Sequence, residues 1–112
     1  MKLPNAGRAV ADIEKLRDYS LNPDHDEGKH KARVFRSALG FTQADAGRLR
    51  EMVLEAARTG EASFGKLLPY GQMYALLFDV QGLRGIVTIR TAWIVATGTD
   101  YPRLVTCYVE GK

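Results

Sequence analysis

A chain of 112 residues with 46% hydrophobic content can bury one modest core, and 16 Lys and Arg against 13 Asp and Glu leave a formal charge of only +3. That balance permits nucleic acid without demanding it, because a mild basic excess is informative only where it clusters. The lone Cys107 excludes an intramolecular disulfide and a cysteine-based zinc site, and no run approaches the roughly 18 apolar residues of a membrane span.

The N-terminal "MKLPNAGRAV" lacks the apolar core of a signal sequence, and neither repeats nor low-complexity tracts interrupt the chain. One domain over residues 1–112 is expected, in a reducing, cytoplasmic setting and with no membrane contact. From Asp12 to about Leu21, "DIEKLRDYSL" sets Ile13 and Leu16, then Tyr19 and Ser20, at spacings of three and four, as in a short amphipathic helix that "NPDHDEG" ends. A second helix is predicted from near Gly28 to Leu39. Ala32, Phe35 and Leu39 form its inner stripe, His30, Arg33 and Ser37 its outer face, and Gly40 stops it. "TQAD" at 42 to 45 has the form of an N-cap with an acid three positions on. It opens the clearest helix, with Leu49, Met52, Val53, Ala56 and Ala57 on one face and "TG" at 59 and 60 closing it.

After Pro69 the texture changes to β-branched and aromatic residues. "YGQMYALLFDV", "RGIVTIRTAWIVAT" and "PRLVTCYV", separated by "QGL" and "GTDYP", predict three antiparallel strands joined by short turns. Helices first and strands afterwards predict an α+β domain, two or three N-terminal helices packed on one face of a three- to four-stranded antiparallel sheet. Period-two sorting places Val105, Cys107 and Val109 on one face of the last strand, and Leu104, Thr106 and Tyr108 on the other. In the strand before, Val87, Ile89, Trp93 and Val95 oppose Thr88, Arg90 and Ala92, and the polar sets are expected to share the open face.

"GKHKARVF" at 28 to 35 puts cations at the start of a helix, where the dipole already supplies positive potential and disfavours each exposed cation by about 0.3–1 kcal/mol. A bound anion accounts for this, and so do offsetting charges on Asp24, Asp26 and Glu27, or simply a solvated helix face. The sharper hypothesis groups His30 and Arg33, one turn apart, with Arg90, Thr106, Tyr70 and Tyr108 across the sheet. Metal-free RNA cleavage needs a proton acceptor for the 2′-hydroxyl, a donor for the leaving oxygen, and cations on the phosphate, which His, Tyr or Lys, and Arg supply.

His25 and His30 with Asp24, Asp26 and Glu27 match no zinc or calcium spacing, so no metal is expected. Cys107 and Trp93 fall in register with apolar neighbours and read as core residues, and Tyr70 reads more readily as a hairpin-side aromatic than as a site residue. No Gly-rich phosphate loop, Ser-His-Asp order or nucleophile elbow is present, which removes nucleotide hydrolases and acyl-transfer enzymes.

The set "LPNAGRAV", "KLRDYSLNPDHDEGKHKARVF", "ALGFT", "YGQMY", "RTAWIV" and "PRLVTCYV", spanning Leu3 to Val109, resembles an uncharacterised bacterial family of small stand-alone proteins and C-terminal tips of polymorphic toxins. In element order that family is similar to barnase- and RelE-like ribonuclease toxins. The resemblance implies a metal- and cofactor-free endoribonuclease leaving a 2′,3′-cyclic phosphate, with His30 as general acid or base, Lys31 and Arg33 on the phosphate, and Arg90 as transition-state clamp. It further implies Thr106 and Tyr70 as supporting groups and a small antitoxin-like protein encoded nearby as partner, and beside these Lys29, Arg36, Thr88 and Tyr108 are expected as further substrate contacts. One stretch departs from the family: "MYALLFDVQGLRG" is more apolar than expected, as a partner-binding edge would be. The rival expectation is a non-catalytic module whose basic face docks acidic residues of such a partner.

Overall fold

Alternation of buried and exposed side chains organises the C-terminal half. In the computed structural model, which describes residues 1–111, strands β2 (Gly71–Gly82), β3 (Gly85–Ala96) and β4 (Arg103–Val109) follow β1 (Ala62–Leu68) in one antiparallel sheet of order β1-β2-β3-β4. The helices precede it. They are α1 (Ile13–Lys15), continuing as a π-helical turn over Leu16–Ser20, then α2 (Lys29–Leu39) and α3 (Ala46–Thr59). The α+β order expected from the sequence is the order observed.

The fourth strand, β1, is the element the alternation rule passed over. Residues 63–67 are exposed, and pairing with β2 shifts register between Phe64 and Leu67. A strand with neither face buried carries no period-two signal.

Helix ends follow local chemistry. Gly40 adopts φ 74°, the left-handed conformation that costs a side chain most, and its N–H and that of Phe41 donate to the carbonyls of Arg36 and Phe35. The Thr42 N–H donates to Asp45 Oδ2 at 2.8 Å, the reciprocal half of the expected cap, through a 3-10 turn (Gln43–Asp45) that leads into α3.

The core lies between the helices and one sheet face. Leu16, Phe35, Leu49 and Val53 from the helices meet Leu76, Ile89, Trp93, Leu104 and Cys107 from the strands, all essentially inaccessible to solvent. Burial of each large apolar side chain is worth about 1.5–3 kcal/mol. Within this layer the Trp93 indole N–H donates to Thr91 Oγ1 at 2.8 Å, and that hydroxyl donates to the Leu76 carbonyl at 2.7 Å. The Trp93 N–H and the Thr91 hydroxyl are thereby paired, as burial requires.

β4 corrects the face sorting. Ala92 pairs with Thr106 but Trp93 pairs with Leu104, so Val105 is an extra residue in a bulge. The phase reverses there: Leu104 is fully buried, while Val105 is exposed instead of sharing the inner face with Cys107 and Val109. The outer edge of β4 is occupied from the N-terminal half. Val10 N–H donates to Pro102 O at 2.9 Å, Leu104 N–H to Val10 O at 2.8 Å, and Ser20 Oγ to Cys107 O at 3.1 Å.

Candidate functional site

The geometry begins with a glycine. A Cβ on Gly28 would stand 2.1 Å from the Tyr19 carbonyl oxygen, so only glycine lets the start of α2 press against the π-helical turn. His25 secures the loop before it. Its Nδ1 accepts the N–H groups of Glu27 and Gly28, each at 3.0 Å, and its ring lies 4.6 Å from that of Tyr19. His25 is therefore a structural cap, and among the described residues no three His, Cys, Asp or Glu side chains are grouped as metal ligands would be.

Docked this way, α2 carries Lys31 to the edge of β4. Its Nζ lies 3.4 Å from Tyr19 Oη and 3.4 Å from Thr106 Oγ1, and 4.8 and 5.6 Å from the ring centroids of Tyr19 and Tyr108. The side chain is half-buried, and among the described residues no carboxylate lies within 4 Å of its ammonium. Aromatic faces and hydroxyls hold the cation in place without neutralising it. The result is a cleft of about 410 Å³, bordered by Lys15, Tyr19, Lys31 and Thr106, in which Lys31 has no counter-charge of its own. Such a cleft concentrates anions.

Lys29, Arg33 and Arg36 also have no carboxylate within 4 Å among the described residues, so Asp24, Asp26 and Glu27 do not pair with the α2 cations.

The expected site residues fall into four groups. His30, Lys31, Arg33 and Tyr108 come together around a second hollow of about 370 Å³, and Thr106 joins them through Lys31. His30 is exposed there. Arg90 lies directly across from Tyr108 in the β3–β4 register, but its Nη1 faces Glu110 Oε2 at 3.8 Å. Both side chains are partly exposed, and the pair sets a carboxylate beside the guanidinium. Thr88 is similarly engaged, its hydroxyl donating to Asp79 Oδ1 at 2.6 Å.

Tyr70 is not brought near them. It sits in the β1–β2 turn, next to Gly71, which pairs with Ala96, whereas Arg90 pairs with Leu77. Seven residues at about 3.3 Å each place it roughly 23 Å along the sheet from that point. Lys29 and Arg36 occupy the opposite flank of α2, on a separate cleft, and Arg33 lines both.

Sequence reasoning missed Tyr19. Its place in an amphipathic stripe marked it as a helix residue, and nothing local signals that its hydroxyl meets a lysine 12 positions later. Cys107 is buried, and burial pushes its thiol up to about 12, opposed weakly by the nearby Lys31 charge. It is a core group, as its register implied.

No helix of the described residues is long and apolar enough to cross a membrane. Neither a curated protein nor a solved structure matches the chain. A family model does, over residues 2–111, and on that near-complete match the chain belongs to the family described as Domain of unknown function (DUF6883).

Proposed function

We propose that the protein is a cytoplasmic, metal-independent endoribonuclease of the toxin type, and that RNA binds at the Lys31 cleft. One observation carries this reading. An ammonium without a counter-charge is fixed between two tyrosine rings and beside a threonine hydroxyl, with an exposed histidine as its chain neighbour. A phosphodiester is the anion that gives each of these groups work.

In this reading His30 moves the proton of the 2′-hydroxyl as that oxygen attacks phosphorus, and the bond from phosphorus to the 5′-oxygen breaks. The Tyr108 hydroxyl, which borders the same hollow, returns a proton to the departing oxygen, leaving a 2′,3′-cyclic phosphate and a free 5′-hydroxyl. Lys31 and Thr106 hold the phosphate oxygens, and Arg33 approaches from the open side. Lys31 takes over the charge-stabilising role that the family resemblance assigned to Arg90, because Arg90 already faces Glu110.

Purified protein incubated with labelled RNA tests this directly. His30→Ala is expected to slow cleavage by about 10²–10⁴-fold, and Lys31→Ala by a similar factor with the fold intact. Wild-type protein that leaves RNA whole at high concentration, and does not arrest growth when induced, sinks the reading.

A second reading, a non-catalytic module that docks a small antitoxin-like protein, is favoured by a different observation. The outer strand β1 exposes Phe64 at 68% and Leu67 at 78%, an apolar edge open to solvent. Co-expression with the neighbouring gene's product, scored for both association and growth, separates the two. Association that tolerates loss of His30 and occurs without any RNA damage supports the module alone.

A further inference from the structure

Helix α2 carries its cations on two flanks. Lys31 leans over β4, whereas Lys29, Arg33 and Arg36 follow at i, i+4 and i+7 beside the turn that opens α3. There they border a cleft of about 420 Å³ that also exposes an apolar wall, with Leu21 and Phe41 buried behind it and Pro23 and Ala44 at its rim.

Two features set this cleft apart from a solvated charge run. None of the three cations is neutralised by a carboxylate within 4 Å among the described residues. The cleft also joins cations to apolar surface. A free inorganic anion or an acidic peptide needs only the first, whereas a nucleotide uses both, with a phosphate to neutralise and a flat ring to take out of water. Arg33 lines this cleft and the hollow that contains His30, Lys31 and Tyr108, so the two adjoin on one helix. Rises of about 6 Å from Lys29 to Arg33 and about 10 Å to Arg36 spread the cations along a track longer than a single phosphate group.

We infer that this cleft is a subsite for single-stranded RNA, seating an unpaired base against the apolar rim at Pro23 and Ala44 and holding the adjoining phosphates on Lys29, Arg33 and Arg36. The inference rests on the nuclease reading for the course of the strand, which crosses Arg33 to reach Lys31. Binding, however, is measured without cleavage.

The probe is a fluorescent 2′-O-methyl hexanucleotide, which lacks the 2′-hydroxyl nucleophile, titrated by anisotropy at several salt concentrations. Lys29→Ala combined with Arg36→Ala is expected to weaken binding at least about tenfold at low salt. The same pair lowers the slope of log affinity against log salt by about 1.4, the value for two single-strand phosphate contacts. Ala44→Glu, at an exposed turn position where the fold tolerates it, weakens binding without removing a cation. Oligomers made abasic at one position at a time lose affinity at one position more than at the others.

Wild-type affinity and salt slope in the double variant overturn the inference. So does equal affinity of every abasic oligomer, or displacement of the RNA by hexaglutamate at matched concentration. Parallel incubation with ordinary RNA separates this inference from the nuclease reading. Binding that shows these dependences while RNA stays whole keeps the subsite and removes the nuclease; cleavage by a double variant that binds as wild type does keeps the nuclease and removes the subsite.

Discussion

Thr91 shows how much one hydroxyl carries. It accepts the Trp93 indole N–H and donates to the Leu76 carbonyl in the middle of the core. Thr91→Val keeps the volume but strands a buried N–H and removes a partner from a buried carbonyl. A loss of about 1–3 kcal/mol is expected, read as a lower midpoint in urea with an unchanged slope. Cys107 makes a second prediction. Its thiol ordinarily titrates near 9 and is held up to about 12 in the fold by burial. Above pH 9 the unfolded chain releases a proton that the folded chain keeps, so this contribution to stability is complete below pH 9 and is lost progressively as pH rises toward 12. Stability measured across that range is expected to fall more steeply in wild type than in Cys107→Ala, and the native thiol is expected to resist alkylation at pH 8 until urea unfolds the chain. Lys31 marks the limit of what residues disclose in isolation. Its charge was legible in "GKHKARVF", but the environment that leaves it unneutralised comes from Tyr19, Thr106 and Tyr108, which three-dimensional packing alone brings near.

Among the elements, α2 and α3 were legible because each buries one stripe at helical spacing and each has its own stop or cap: Gly40 for the first, Thr42 with Asp45 for the second. β1 and the β4 bulge were not, for related reasons. A strand exposed on both faces leaves no pattern, and a single inserted residue inverts one, so Leu104 and Val105 exchanged places. The seat of α2 gives the prediction at this scale. Gly28→Ala drives a methyl group into the Tyr19 carbonyl and displaces the helix start. It is expected to cost about 2 kcal/mol or more and to disturb the Lys31 cleft at the same time. His25→Ala, which removes an acceptor for two backbone N–H groups, is expected to cost about 1 kcal/mol and leave the helix seated. Thermal melts order the two, and NMR shifts of the Tyr19 and Tyr108 rings report whether the cleft has moved.

At the scale of the whole molecule, the sheet has two unlike edges. β4 is occupied by Val10 and by the Ser20 hydroxyl, while β1 presents Phe64 and Leu67 to solvent, with Lys66 and the register shift between them as the features that discourage edge pairing. Leu67→Lys is expected to change the melting temperature little and to lower light scattering at high protein concentration, where an apolar edge self-associates. The other edge governs timing. Val10 waits for Leu104, and Lys31 waits for Thr106, 75 positions later, so the contacts that finish the cleft span nearly the whole chain. Contacts of such separation form slowly and late. A chain synthesised only as far as β3 thus has every cation of α2 and the Tyr19 side of the cleft but not its Thr106 side, and β4 is the strand that completes the pocket.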